Sequence, residues 1–178
     1  TSTLYSILKH LNTVRENILT IEDPIEYRMA GINQAQVNNK KGFTFAMGLR
    51  AMLRLDPNVI LVGEMRDRET AEIGAQAALT GHLVLSTIHA NSSTQTMSRL
   101  IDMGVEKFVV GSSLLGVISQ RLLRRICPKC KISYKPTESE LLNAGFIELA
   151  PTELTRGRGC HHCNQQGYKG RIPVVEVL

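Results

Sequence analysis

Apolar residues along this chain recur at two spacings, and the spacing changes several times. Leu4, Ile7, Leu8 and Leu11 fall at i, i+3, i+4 and i+7, which predicts an amphipathic helix over residues 1–11. The run from Asn17 into Ile18, Leu19 and Ile21 is short and mostly apolar. It ends in Glu22-Asp23-Pro24, as a buried strand and its exit would. Residues 32–41 are polar and loop-like, with room for a short strand or hairpin. Phe45, Leu49 and Met52 trace a second helix face, stopped by Asp56-Pro57. VILV at 59–62 is a fully apolar strand, followed by Gly63-Glu64. Residues 67–79 are helical, with Ile73, Gly74, Ala77 and Ala78 on one face and Gly81 as the C′ residue. Residues 83–88 form a third apolar strand that runs into His89-Ala90-Asn91. Met97, Leu100 and Ile101 mark another helix, closed by Gly104. Strands that alternate with helices and are apolar on both faces predict a mainly parallel sheet covered on both sides, an α/β fold.

The pattern breaks after Gln120. Arg121, Arg124 and Arg125 crowd together, residues 127–163 are rich in loops and cysteines, and residues 168–178 read as a last strand returning to the main body. The predicted organisation is a core over residues 1–126, an inserted cysteine module over 127–163 and a returning strand within 164–178. Composition adds little to this picture. Hydrophobic content of 43% over 178 residues is ample for a core, and no run of 18 apolar residues offers a membrane span. An aromatic content of 4% without Trp argues against a base-stacking platform. The formal charge of +5 is compatible with an anionic partner such as nucleic acid, lipid headgroups or phosphates, but spread over solvated faces it is weak evidence for one. Four thiolates around one zinc ion would bring it to about +3, and the remaining basic residues are expected on solvated faces. The chain begins at Thr1 without an initiator Met and is expected to be a piece of a longer protein.

Ligands of an open parallel sheet bind outside the carboxyl ends of its strands. Here those ends carry Glu22-Asp23, Glu64, and Thr87, His89 and Asn91. Acids in such a place can hold magnesium through water and polarise an attacking water, and a His or Asn can hydrogen-bond a terminal phosphate. Any one of these residues alone reads as a helix cap or a solvated turn. Three strand ends that agree are a stronger signal.

Three stretches, IEDPIE at 21–26, LVGEMRD at 61–67 and STIHAN at 86–91, resemble the Asp box, Walker B and His box of the secretion ATPase superfamily. Within it the assembly ATPases of type II secretion and type IV pili are the most similar, and the resemblance runs over the whole chain. Ile88-His89-Ala90 stands where the family more often has Leu-His-Thr, and Met65 where Ile is usual. The resemblance implies a RecA-like P-loop NTPase fold with a small inserted zinc module. It implies a cytoplasmic homohexamer, peripheral to the inner membrane and bound to a membrane platform protein, that hydrolyses ATP to assemble pilus or pseudopilus subunits. By position, Glu64 would polarise the attacking water, Glu22 and Asp23 would support magnesium and water, and His89 would approach the γ-phosphate. The division of labour between Glu22 and Glu64 stays open. Family members carry GxxxxGK[ST] just before the helix that opens this chain, and Thr1 falls where its final Ser/Thr would be. The resemblance therefore implies that the first strand and the phosphate loop lie outside these residues. It also implies that a molecule limited to them has no competent nucleotide site, since the N-terminal domain that contributes arginines is missing as well.

Cys127-Pro-Lys-Cys130 and Cys160-His-His-Cys163 are two CxxC knuckles separated by 29 residues. A two-residue gap lets both sulfurs of a knuckle reach one ion, and Gly159 and Gly167 flank the second knuckle, so a closed, structural zinc site is predicted. His161 and His162 are replacement ligands in principle but are expected at the surface. Within the family, retraction-type ATPases generally lack this module, which favours the assembly and secretion side. The alternative reading is a zinc-ribbon interaction module that docks on a platform protein or on nucleic acid. Against nucleic acid, Arg121, Arg124 and Arg125 read as the end of an amphipathic helix facing solvent or a neighbour. Arg50, Arg54 and Arg66 read equally as groups serving a neighbour's nucleotide and as pairs for Asp56, Asp67 or Glu64 within the chain. Met47, Met52, Met97 and Met103 read as core.

Overall fold

Period-two alternation in two short strands decides the architecture around the site. The computed structural model describes residues 2–145, 151 and 153–178. In it β1 (Ile18–Glu22), β2 (Asn33–Gln36), β3 (Val59–Val62) and β4 (Leu83–Ser86) form one sheet in the order β2-β1-β3-β4. Each neighbouring pair is parallel. β1 and β3 are buried at every position, as central strands with helices on both faces must be. Leu19, Ile21, Ile60 and Val62 point to α2 (Phe45–Met52), where Leu49 and Met52 meet them. Ile18, Val59 and Leu61 point the other way and pack with Leu8 of α1 (Ser2–Leu11). Each fully buried Leu or Ile here contributes about 1.5–3 kcal/mol. At Gly48 the approach of α2 to β1 is so close that a Cβ would stand 2.0 Å from the Ile21 Cδ1.

The polar stretch at 32–41 holds a short strand. β2 is an edge strand of sequence NQAQ, partly exposed, and beyond it Asn38 and Phe43 form a single antiparallel bridge. α3 (Arg68–Leu79) is capped by Asp67, which accepts from the Thr70 N–H at 2.8 Å and the Thr70 hydroxyl at 2.9 Å. Its buried face is Thr70, Ala71, Gly74 and Ala77, with Ile73 only partly buried. Gly81 follows it at φ +100, the left-handed exit its position predicted. α4 (Ser93–Asp102) and α5 (Lys107–Ser113) complete the unit, and α3 and α5 meet through Ala71, Val105 and Val110. β4 spans 83–86 and not 83–88, and although its sequence is Leu-Val-Leu-Ser, all four residues are half-buried because it forms a sheet edge.

Residues 1–119 and 176–178 make one compact unit, and residues 120–175 make a second. The second contains most of a ribbon in which β5 (Ile118–Ile126) pairs with β8 (Tyr168–Val177). It also contains an antiparallel pair, β6 (Lys131–Tyr134) with β7 (Leu154–Gly157), and the short helix α6 (Glu138–Asn143). Arg121, Arg124 and Arg125 therefore lie on a strand, not at a helix end. Their local spacing resembles a helix, but the partner strand, with Val174, Val175 and Val177, supplies the pairing that decides the conformation. Charge divides unevenly between the units. Residues 120–175 hold ten Lys or Arg against four Asp or Glu, whereas the first unit holds eleven against twelve. Among the described residues no helix is long and apolar enough to cross a membrane.

Candidate functional site

Because the four strands are parallel, β1, β3 and β4 deliver their carboxyl ends to one edge of the sheet. A cleft of about 210 Å³ opens there, with Tyr5, Glu22, Asp23, Glu64, Thr87 and His89 among its lining residues. That is smaller than the ~300 Å³ at the low end of small-molecule sites, so it suits a phosphate group or a hydrated metal rather than a whole nucleotide. Glu22, Asp23, Glu64 and His89, named from the sequence, meet in this one place. Asn91 lies ahead of α4, where its N–H donates to the Gln95 Oε1 at 3.3 Å. Thr1 falls outside the described residues.

The acids differ sharply in environment. Glu22 is 3% exposed and takes three side-chain hydrogen bonds: the Tyr5 hydroxyl donates to its Oε2, while the Thr20 hydroxyl (2.5 Å) and the Gln34 amide (3.2 Å) donate to its Oε1. Asp23, one residue on, is exposed. Glu64 is held by Arg66, whose guanidinium bridges both carboxylate oxygens. The Glu64 Oε2 is nevertheless shielded from solvent and accepts no well-aligned hydrogen bond. His89 stands largely in solvent, with its Nε2 at 3.6 Å from that oxygen, beyond hydrogen-bond reach. The loops that carry these groups are tied together, since the Thr87 hydroxyl donates to the Gly63 carbonyl at 2.7 Å and the Met65 N–H to the Thr87 carbonyl at 3.0 Å. Sequence reasoning missed Tyr5, Thr20 and Gln34. The alternation Ile18, Thr20, Glu22 on one strand face was the available signal, because it places two polar groups under the helix that carries Tyr5.

The second cluster is made of sulfur. The Sγ atoms of Cys127, Cys130, Cys160 and Cys163 all lie within 4.8 Å of one another. Cys127–Cys160 are 3.9 Å apart, and Cys130–Cys163 and Cys160–Cys163 each 3.8 Å. Four thiolates at ~2.3 Å from a tetrahedral zinc ion stand ~3.8 Å from each other, whereas a disulfide needs ~2.05 Å. The residues thus fit a closed metal centre. The Cys160 and Gly167 N–H groups donate to the Cys163 Sγ at 3.3 and 3.2 Å. Burial pushes the Cys130 thiol up to about 12. Burial acts in the same sense on Cys163, but the two N–H donors prevail and bring it down to about 7, where a thiolate ligand forms readily. His161 and His162 are exposed. Behind the knuckles two glycines touch: a Cβ on Gly157 would stand 2.0 Å from the Gly167 carbonyl oxygen. Backbone against backbone cannot give way, so Gly157→Ala is expected to destabilise this unit by about 1–3 kcal/mol or more, read as a lower denaturation midpoint.

The family model described as Type II/IV secretion system protein matches residues 1–178. The chain belongs to this family. Type II secretion system protein E of Pseudomonas aeruginosa is 56% identical over 178 residues, covering 100% of this chain and 36% of that protein. Type IV pilus assembly ATPase PilB of Thermus thermophilus is 51% identical, over 99% of this chain and 20% of its own length. Among solved structures, the pilus retraction motor PilT with bound ADP superposes with a TM-score of 0.65 at 42% identity, over 71% of this chain and 40% of PilT. The chain therefore spans about a third or less of the length of these relatives from sequence, 36% and 20%.

Other residues singled out in this secretion-family chain resolve individually. Arg66 pairs with Glu64, and Arg50 pairs with Glu69 at 2.6 Å rather than with an aspartate. Asp67 is the cap of α3. Met52 and Met103 pack in the core, but Met47 is 57% exposed and Met97 36%, so those two are not core residues.

Proposed function

We propose that this chain is the magnesium- and phosphate-facing part of a motor that hydrolyses ATP to drive pilus or pseudopilus assembly or protein secretion. The observation that carries the reading is the convergence of Glu22, Asp23, Glu64 and His89 on one cleft at the carboxyl edge of a parallel sheet, in a chain that matches this family from end to end. In this reading Glu64 polarises the attacking water, Asp23 and Glu22 support magnesium through water, and His89 reaches the terminal phosphate. Magnesium supplies charge neutralisation at the β- and γ-phosphates when bound. The protein acts as a homohexamer on the cytoplasmic face of the inner membrane, against a platform protein.

The open side of β4, apolar and half-buried, is where we place a further strand leading into a phosphate loop. No GxxxxGK[ST] occurs within residues 1–178. A polypeptide limited to these residues is accordingly expected to bind ATP with a Kd above about 1 mM. Calorimetry showing micromolar affinity would sink that expectation. The reading itself is tested on the full-length protein by magnesium-dependent release of phosphate from ATP.

The four cysteines we assign to structural zinc. The basic balance of residues 120–175 invites a nucleic-acid role for this unit, but two of its arginines lie over its own rings, Arg124 at 4.2 Å from the Tyr168 centroid and Arg156 at 4.6 Å from that of Tyr134. One face of each of these two rings is thereby occupied by an arginine. This supports a protein-facing role, and salt-dependent binding to single-stranded DNA or RNA would count against it.

A further inference from the structure

Tyr5 lines the cleft from α1 and is 2% exposed. Its hydroxyl sits between an acceptor and a donor: it donates a hydrogen bond to the Glu22 Oε2 and accepts from the Glu26 N–H at 3.3 Å. Its ring is held against Tyr27, with centroids 4.3 Å apart. Burial first, then the bond to Glu22, raises the phenol above its ordinary ionisation range, so the proton stays on Tyr5. Glu22 in turn has about four acceptor directions on its carboxylate, and Tyr5, Thr20 and Gln34 occupy three. A carboxylate held by three donors is fixed in orientation, and it retains one direction for one further donor. Glu64 differs: Arg66 pairs with its carboxylate, yet its Oε2 takes no well-aligned hydrogen bond.

We propose that Tyr5 is a positioning residue: from α1 it locks the Glu22 carboxylate so that Glu22 orients a single water at the cleft and leaves proton acceptance to Glu64. This rests on the ATPase reading above and divides the work of the two glutamates within it. Because Tyr5 stands on the helix packed over β1, any ligand that shifts α1 also shifts the acceptor that Glu22 presents.

The test is steady-state ATP hydrolysis by the full-length protein carrying Tyr5→Phe, Glu22→Gln and both together. Tyr5→Phe keeps the ring and its packing on Tyr27 and removes only the donor. It is expected to lower kcat about tenfold while KM for ATP stays within about twofold, the cost of one hydrogen bond to a charged group. In the Glu22→Gln background the same change is expected to have no further effect, since Tyr5 acts only through Glu22. An unchanged kcat for Tyr5→Phe overturns the proposal, and so does an equal loss in both backgrounds. A fall in melting temperature with kcat and KM changed in parallel identifies a merely structural tyrosine and overturns it too. Wild-type protein that releases no phosphate from ATP refutes the ATPase reading itself, a result separate from any of these.

Discussion

Glu64→Gln in the full-length protein is expected to lower kcat for ATP hydrolysis by about 10²–10⁴, with the affinity for ATP nearly unchanged. The change keeps the side chain's size and removes its charge. What it takes away is specific to this position. Glu64 lines the cleft beside Glu22 and His89, and its Oε2 takes no well-aligned hydrogen bond although the Arg66 guanidinium lies against it, so a water admitted to the cleft is expected to find an anionic acceptor there. An amide offers that water a weaker acceptor and no place for its proton. Arg66, which bridges the carboxylate, loses its partner as well, but it is well exposed and that ion pair adds little to stability. The contrast is Glu69→Gln: Glu69 pairs with Arg50 on the surface, outside the cleft, and the variant is expected to retain wild-type turnover. Binding of a fluorescent ATP analogue, measured beside single-turnover hydrolysis, separates the two effects. Glu64→Gln protein that keeps more than about a tenth of wild-type kcat would remove Glu64 from the proton-accepting role.

The two acidic strand ends were legible because a parallel sheet leaves little choice. Once ILTIE and VILV are recognised as strands buried on both faces, their carboxyl ends must share an edge, and Glu22, Asp23 and Glu64 come together. The knuckles were legible for a similar reason, since a two-residue gap with glycines beside it has few other uses. What spacing could not show was how each acid is served. Nothing within IEDPIE says that Glu22 is buried under a tyrosine from α1 while its neighbour Asp23 is exposed; that follows from the period of two bringing Thr20 and Glu22 to the α1 face. Arg121, Arg124 and Arg125 were misread because their conformation is set by pairing with a strand distant in sequence, which local periodicity does not record. Met47 and Met97 were misread because helical spacing gives a face its period but not its partner.

Removal of zinc should unfold the cysteine module. The protein as purified is expected to hold one equivalent of zinc per chain, and Cys127→Ser or Cys163→Ser to hold almost none. Both cysteines are buried, at 0% and 5% exposure, and each sulfur lies within 4.8 Å of the other three, so no water can take a lost ligand's place without opening the cluster. His161 and His162 are the nearest alternative donors by sequence, but both are exposed, and the Lys169 Nζ donates to the His162 carbonyl at 3.0 Å. The energetic scale is large. Structural zinc contributes about 10–16 kcal/mol in small modules at neutral pH, more than the total stability of most domains. The apolar core that would otherwise hold residues 127–167 is meagre, since Cys127, Cys163 and Gly167 are the buried positions there among the described residues. Chelation with excess EDTA should therefore abolish amide protection at Cys127, Arg158 and Gly167, whose N–H groups bond the Gly167 carbonyl, the Cys130 carbonyl and the Cys163 sulfur. Cys127→Ser protein that still carries a full equivalent of zinc, or chelated protein that keeps this protection, would mean that the four sulfurs are a small buried core and not a metal centre.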